Sequence, residues 1–86
     1  MQYTYWEHTE DGHQKFWAAS VIEKKQPIRV GSSTIEKTVW VLIRKWGKIG
    51  TEGQSMTQTF SSEYEAQDAL QRLIWDKERK GYKGVF

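Results

Sequence analysis

Cysteine is absent from this chain and proline occurs once. The first absence excludes a disulfide framework, a thiolate zinc site and a cysteine nucleophile, so stability has to come from packing, and a cytoplasmic protein is the default expectation. Long apolar runs are missing too. The longest, Val39 to Ile43, is far short of the roughly 20 residues that cross a bilayer. The first dozen residues contain no apolar signal segment, so a soluble, unprocessed protein with no membrane partner is expected. A large excess of either charge is missing as well, since 13 basic residues against 11 acidic ones leave a formal net charge of +2. The 86 residues suit a single domain, 1–86, near the lower end of sizes that fold without staples.

Aromatic side chains are plentiful: five tryptophans, four tyrosines and three phenylalanines. Each buries a large area, so most are expected in the core. The small net charge hides an uneven distribution. Residues 37–51 carry four basic groups and no acidic one, residues 52–71 carry four acids and no base, and residues 72–86 carry five bases against two acids. Two basic segments flanking an acidic one suit an anionic partner, although solvated lysines on an ordinary surface give the same count.

Alternation sets out the strands. Tyr3, Tyr5 and Glu7 interleave with Thr4, Trp6 and His8, then a polar turn follows at Thr9-Glu10-Asp11-Gly12. A second strand covers Lys15 to Glu23, apolar in both rows and therefore central. Pro27 and Gly31-Ser32-Ser33 mark residues 24–36 as a loop, with room for a short strand at Ile28 to Val30. Thr38 to Trp46 is rich in β-branched and aromatic residues and is the clearest strand. Gly47, Gly50 and Gly53 signal a bend and a hairpin turn before a strand at Gln54 to Phe60. Ser62-Glu63-Tyr64-Glu65 has the form of a capping box, opening a helix in which Ala66, Ala69, Leu70, Leu73, Ile74 and the stem of Lys77 share a face. Gly81 stands where a C-terminal cap belongs, and Tyr82 to Phe86 reads as a last short strand. The expected fold class is α+β: one twisted antiparallel sheet of about four to five strands with a single α-helix packed on it.

Catalytic motifs fail their tests. The spacing Gly47-x-x-Gly50-x-x-Gly53 joins strand to strand, whereas dinucleotide fingerprints and P-loops lead from a strand into a helix. His8 and His13 flank a turn with Glu7, Glu10 and Asp11 nearby, a donor set that could bind a metal. It has no organised second shell and no neighbouring nucleophile, so no metal or cofactor is expected. Glu63, Glu65 and Asp68 sit in or near the first turns of the helix, where its dipole favours anions without any catalytic role. Trp46-Gly47-Lys48 differs: it ends the strongest strand inside the basic segment, and its glycine permits close backbone approach. Trp46 is either a core side chain or an exposed platform, and exposure is the expectation. Trp75 lies off the apolar helical stripe beside Arg72 and Arg79, where Val85 and Phe86 could cover it or it could extend a binding face.

The run Trp46-Gly47-Lys48-Ile49-Gly50-Thr51-Glu52-Gly53-Gln54, followed by Phe60, Ala66, Leu73, Lys77 and Lys80-Gly81-Tyr82, strongly resembles the WGR domain family. Gln14-Lys15-Phe16-Trp17 resembles that family's earlier Asn-Lys-Phe-Tyr strand start, so the resemblance spans roughly residues 3 to 84. It implies one twisted antiparallel sheet carrying one helix. The family is best known as a non-catalytic domain of DNA-break-activated poly(ADP-ribose) polymerases, and it also occurs as small bacterial proteins. In the polymerases the signature tryptophan packs against the sugar at a DNA strand end. The signature basic residue meets a terminal phosphate in some members and neighbouring protein domains in others. Carried over, Trp46 is the stacking platform and Lys48 the phosphate partner, with Lys15 and Tyr82 matching positions that contact the nucleic-acid backbone in some members. Two departures stand out. The third signature residue is lysine, not arginine, and the family's asparagine is Gln14.

Three classes of function follow. A non-catalytic module binding duplex DNA ends or nicks would use Trp46, Gly47, Lys48, Lys15, Lys45 and Tyr82. A protein-interaction domain would dock the same surface onto a DNA-processing or catalytic partner. An enzyme is the remote alternative, because the polymerases' catalytic region is a separate domain with no counterpart in this sequence. An ammonium neutralises phosphate as a point charge but lacks the arginine fork, so looser recognition of a terminal phosphate is expected from Lys48.

Overall fold

A computed structural model of the chain describes residues 4–85. Five strands and one helix follow in the order β1 (Thr4–His8), β2 (Lys15–Val30), β3 (Ser33–Lys48), β4 (Gln54–Phe60), α1 (Glu63–Arg79) and β5 (Lys83–Gly84), with a short 3-10 turn at Glu10–Gly12. The strands form one sheet in the order β4-β3-β2-β1-β5, antiparallel throughout, with the helix on one face. This is the α+β arrangement read from the sequence. Tyr3 and Phe86, assigned there to the first and last strands, lie outside the described residues.

The register explains the burial. Trp6 pairs with Trp17 and Trp17 with Trp46, so three tryptophans stand in one row across β1, β2 and β3. Directly opposed residues share a face of the sheet, and this face is the one under the helix. Trp6, Trp17, Ala19 and Leu42 are buried there, and Ala69, Leu70, Leu73 and Ile74 of α1 pack against them. The Trp6 and Trp17 rings meet at 5.3 Å in a tilted arrangement. The helical stripe read from the sequence is therefore the face that covers the core. Ser62 caps the helix, its Oγ accepting the Glu65 N–H at 3.2 Å. The helix ends in a Schellman pattern: Gly81 at φ 104° lets its own N–H donate to the Glu78 carbonyl and that of Tyr82 to the Lys77 carbonyl.

Residues 24–36 are not a loop. β2 and β3 remain paired from Lys15↔Lys48 out to Val30↔Ser33, and Gly31 at φ 62° turns the hairpin. The proline is tolerated because β1 pairs only with Lys15 to Ala19. Beyond that point β2 has no neighbour on its other side among the described residues, and a missing N–H there removes no ladder bond. From Lys25 to Lys37 nearly every side chain is exposed, so no apolar alternation betrayed the strands. This arm contributes to a molecule 58 × 25 × 18 Å in extent.

Candidate nucleic-acid interface

One row beyond the tryptophans, on the same face, His8 pairs with Lys15 and Lys15 with Lys48. An aromatic row and a cationic row thus lie side by side at the end of the sheet. The helix cap delivers Tyr82 to the same place. Together Gly12, His13, Gln14, Lys15, Trp46, Gly47, Lys48 and Tyr82 line an open cleft of about 630 Å³. Five of the six residues singled out in the sequence meet there. Lys45 does not. It pairs with Ala18 and lines a hollow on the helix-free face with Tyr5, Phe16, Gly50 and Glu52.

Trp46 falls between the core and exposed positions weighed for it. It is half-buried, packing on the rim of the core cluster while lining the cleft. Its backbone is fixed by two glycines in close apposition. A Cβ on Gly47 would lie 2.8 Å from the Gly53 Cα, and one on Gly53, whose φ is 70°, would overlap the Trp46 carbonyl oxygen. The turn between them is tied down by the Ile49 N–H donating to the Gln14 carbonyl at 2.8 Å and by the Thr51 hydroxyl donating to the Lys48 carbonyl at 2.7 Å.

His8 and His13 stack face to face, with centroids 4.4 Å apart, and Tyr82 lies 5.3 Å from His8. Gly81 makes this possible, since a Cβ there would sit 2.8 Å from the His8 Nε2. Among the described residues no group of three or more histidines and carboxylates could hold a metal ion.

Cations crowd the surroundings. The Lys77 ammonium lies 5.4 Å from the Tyr82 ring centroid. Partial burial is the main cause that holds its pKa below the ordinary lysine value, with Lys80, Arg44 and Lys15 adding to the effect and Asp76 opposing it. The nearby carboxylates are engaged: Asp76 with Lys80 at 3.1 Å, and Glu10 with Lys83 at 2.9 Å. Each is pushed to a lower pKa, chiefly by the hydrogen bond from its lysine.

A second cavity of about 360 Å³ opens on the other side of Trp46, lined by Trp17, Arg44, Trp46, Met56, Leu73, Asp76 and Lys77. Arg44 Nη2 approaches the Met56 sulfur at 2.7 Å, while its Nε is buried without a hydrogen-bond partner among the described residues. The sequence reading did not assign Arg44 to the site and counted Lys77 as an apolar stem. The available signals were period two, which puts Arg44 on the face of Trp46, and the Gly81 cap, which folds Tyr82 back over Lys77. Trp75 is 60% exposed, away from this cleft, in a shallow groove with Asp68, Arg72 and Arg79. Val85 does not bury it and is itself 48% exposed.

The WGR domain pattern matches residues 3–85, and the chain belongs to that family. Among similar proteins, y4dW of Sinorhizobium fredii is 43% identical over 42 residues, which are 49% of this chain and 21% of that protein. YehF of Escherichia coli is 49% identical over 37 residues, 43% of this chain and 14% of that protein. The crystal structure of a Bacteroides fragilis protein superposes on 99% of this chain with a TM-score of 0.75 at 28% identity, covering 20% of the solved chain. In each case the match spans about a fifth or less of the relative's length. The family is a non-catalytic one. No helix among the described residues is long and apolar enough to cross a membrane.

Proposed function

We propose that this chain is a non-catalytic, cytoplasmic module that binds duplex DNA at ends or nicks. One observation carries the reading: the half-buried Trp46 and the cationic row of Lys15 and Lys48 share one cleft with Tyr82. An indole offers a flat face to a sugar or base, and ammonium groups displace counterions from phosphates, so binding is salt-dependent and largely indifferent to sequence. Trp46 takes the terminal sugar, Lys48 and Lys15 the phosphates, and Tyr82 the backbone beside them. Gly47 lends backbone to the cleft, while the space a side chain there would need lies toward Gly53 and Phe16 on the other side of the strand. Lys45, on the other face, has no part in this arrangement. The test is a titration with linear, nicked and closed circular DNA at low salt. Linear and nicked forms are expected to bind more tightly, and Trp46→Ala with Lys48→Ala to abolish that preference. If none of the three binds, the reading fails.

A second reading has its own support. The relatives are several times longer than the matched segment, so in them the domain has other chain to lie against. Here the same face docks onto a DNA-processing partner. Pull-down with and without nuclease separates the two, because a partner retained after nuclease is held by protein contacts.

A further inference from the structure

The two edges of the sheet are unlike. β5 is two residues long, Lys83–Gly84, and Lys83 is drawn to Glu10. Short length and a lysine are two of the devices by which natural sheets blunt their edges. β4 has neither. It runs for seven residues, Gln54-Ser55-Met56-Thr57-Gln58-Thr59-Phe60, with no charge and no proline. Gln54 to Thr59 are all exposed. The strand is terminal in the sheet order, and among the described residues it pairs with β3 alone. Its outer row of N–H and C=O groups has no protein hydrogen bond among the described residues and is a template for another strand.

We propose that β4 is a dimerisation edge, pairing antiparallel with β4 of a second copy of this chain across a two-fold axis at Thr57. The sequence suits itself in that register. Thr57 meets the partner's Thr57 and Ser55 meets the partner's Thr59. On the opposite face Met56 meets the partner's Gln58, and Gln54 the partner's Phe60. Hydroxyl pairs of this kind favour cross-strand pairing, and like charges never face each other because the strand has none. Thr57 and Thr59 belong to the helix-free face, in a groove with Ile22, Val39, Val41 and Ile43. The axis joins that groove to its symmetry mate. Such an interface is isologous and closes at two copies, because the two-fold axis uses up both β4 edges, and the open outer edge of β2 beyond Ala19 is guarded by Lys24, Lys25, Pro27 and Arg29.

The experiment is sedimentation of the nuclease-treated chain in high salt, where nucleic acid cannot bridge copies. The chain sediments at twice its own mass, whereas Thr57→Lys and Thr57→Glu, each setting like charges opposite one another at the axis, sediment as folded monomers by circular dichroism. An equimolar mixture of the two variants returns to the dimer. Thr57→Cys, in a chain with no other cysteine, cross-links under mild oxidation much faster than Tyr64→Cys, an exposed control. A chain that stays monomeric at its highest soluble concentration, a Thr57→Lys protein that remains dimeric, or equal cross-linking rates would each overturn the proposal.

Discussion

The central strands β2 and β3 run the length of the molecule, yet their two halves are held together differently. Near Trp17 and Trp46 they lie under α1 with side chains buried on both faces of the sheet. From Lys25↔Thr38 outward the same two strands continue as a bare ribbon. There the Lys25 ammonium donates to the Thr38 hydroxyl at 2.6 Å and lies 3.6 Å from the Glu23 carboxylate, and Val30 and Ile35 are more than half exposed. Identical backbone pairing therefore rests on tertiary burial at one end and on local hydrogen bonds at the other. The rows that line the cleft grow out of the buried half, where rigid neighbours can hold them.

The contrast breaks most readily in the core. Trp17→Ala should cost about 3–5 kcal/mol in denaturant unfolding, enough to unfold a domain of this size, whereas Ile35→Ala on the arm should stay within about 0.5 kcal/mol. Equal losses would mean that the arm is packed against something after all. In DNA titrations Trp46→Ala should weaken binding by about 1–3 kcal/mol, the range for losing one stacking platform, with little change in unfolding compared with Trp17→Ala. Lys48→Ala should act more gently, flattening the slope of log K against log salt by about one contact's worth. Replacing Lys25 on the arm should leave that slope unchanged.

The smallest effect concerns Lys77. Its pKa is lowered in the folded chain, so between that point and the ordinary value of 10.5 the unfolded chain holds more protons. Stability rises with pH through that window, and below it the full penalty of a crowded charge remains. Lys77→Met should stabilise the free protein near neutrality by less than about 1 kcal/mol, since the partly exposed ammonium is screened by water. The variant should also lose this alkaline rise in thermal melts, and bind DNA more weakly.

Much of this architecture was legible in the residues because burial leaves a period. The helical stripe from Ala66 to Ile74, the Ser62 cap, the Gly81 terminus and the strand before Trp46 all carry that imprint. The arm carried none: exposed strands have no apolar row, and Pro27 and Gly31 read as breakers when one stands beside an open edge and the other at a tip. The site was legible where a signature is local, as in Trp46-Gly47-Lys48. Its assembly was not. Lys15, Lys48 and His8 form one row only through a register that spans three strands, and Arg44 and Lys77 join Trp46 from separate elements. Lys45 was grouped with the others by its position in a basic run, and its parity in the strand sends it to the other face.

The uneven exposure of the tryptophan row has a spectroscopic consequence. Trp6 and Trp17 are sealed at 4% and 2% exposure, while Trp46 lies at the rim of the cleft and Trp75 stands open on the helix. Emission from the buried pair should be blue-shifted and shielded from a soluble quencher. Trp40 is half-buried like Trp46, so with Trp40→Phe and Trp75→Phe as background the quenchable red-shifted light comes chiefly from Trp46, and the protein carries its own optical gauge of cleft occupancy.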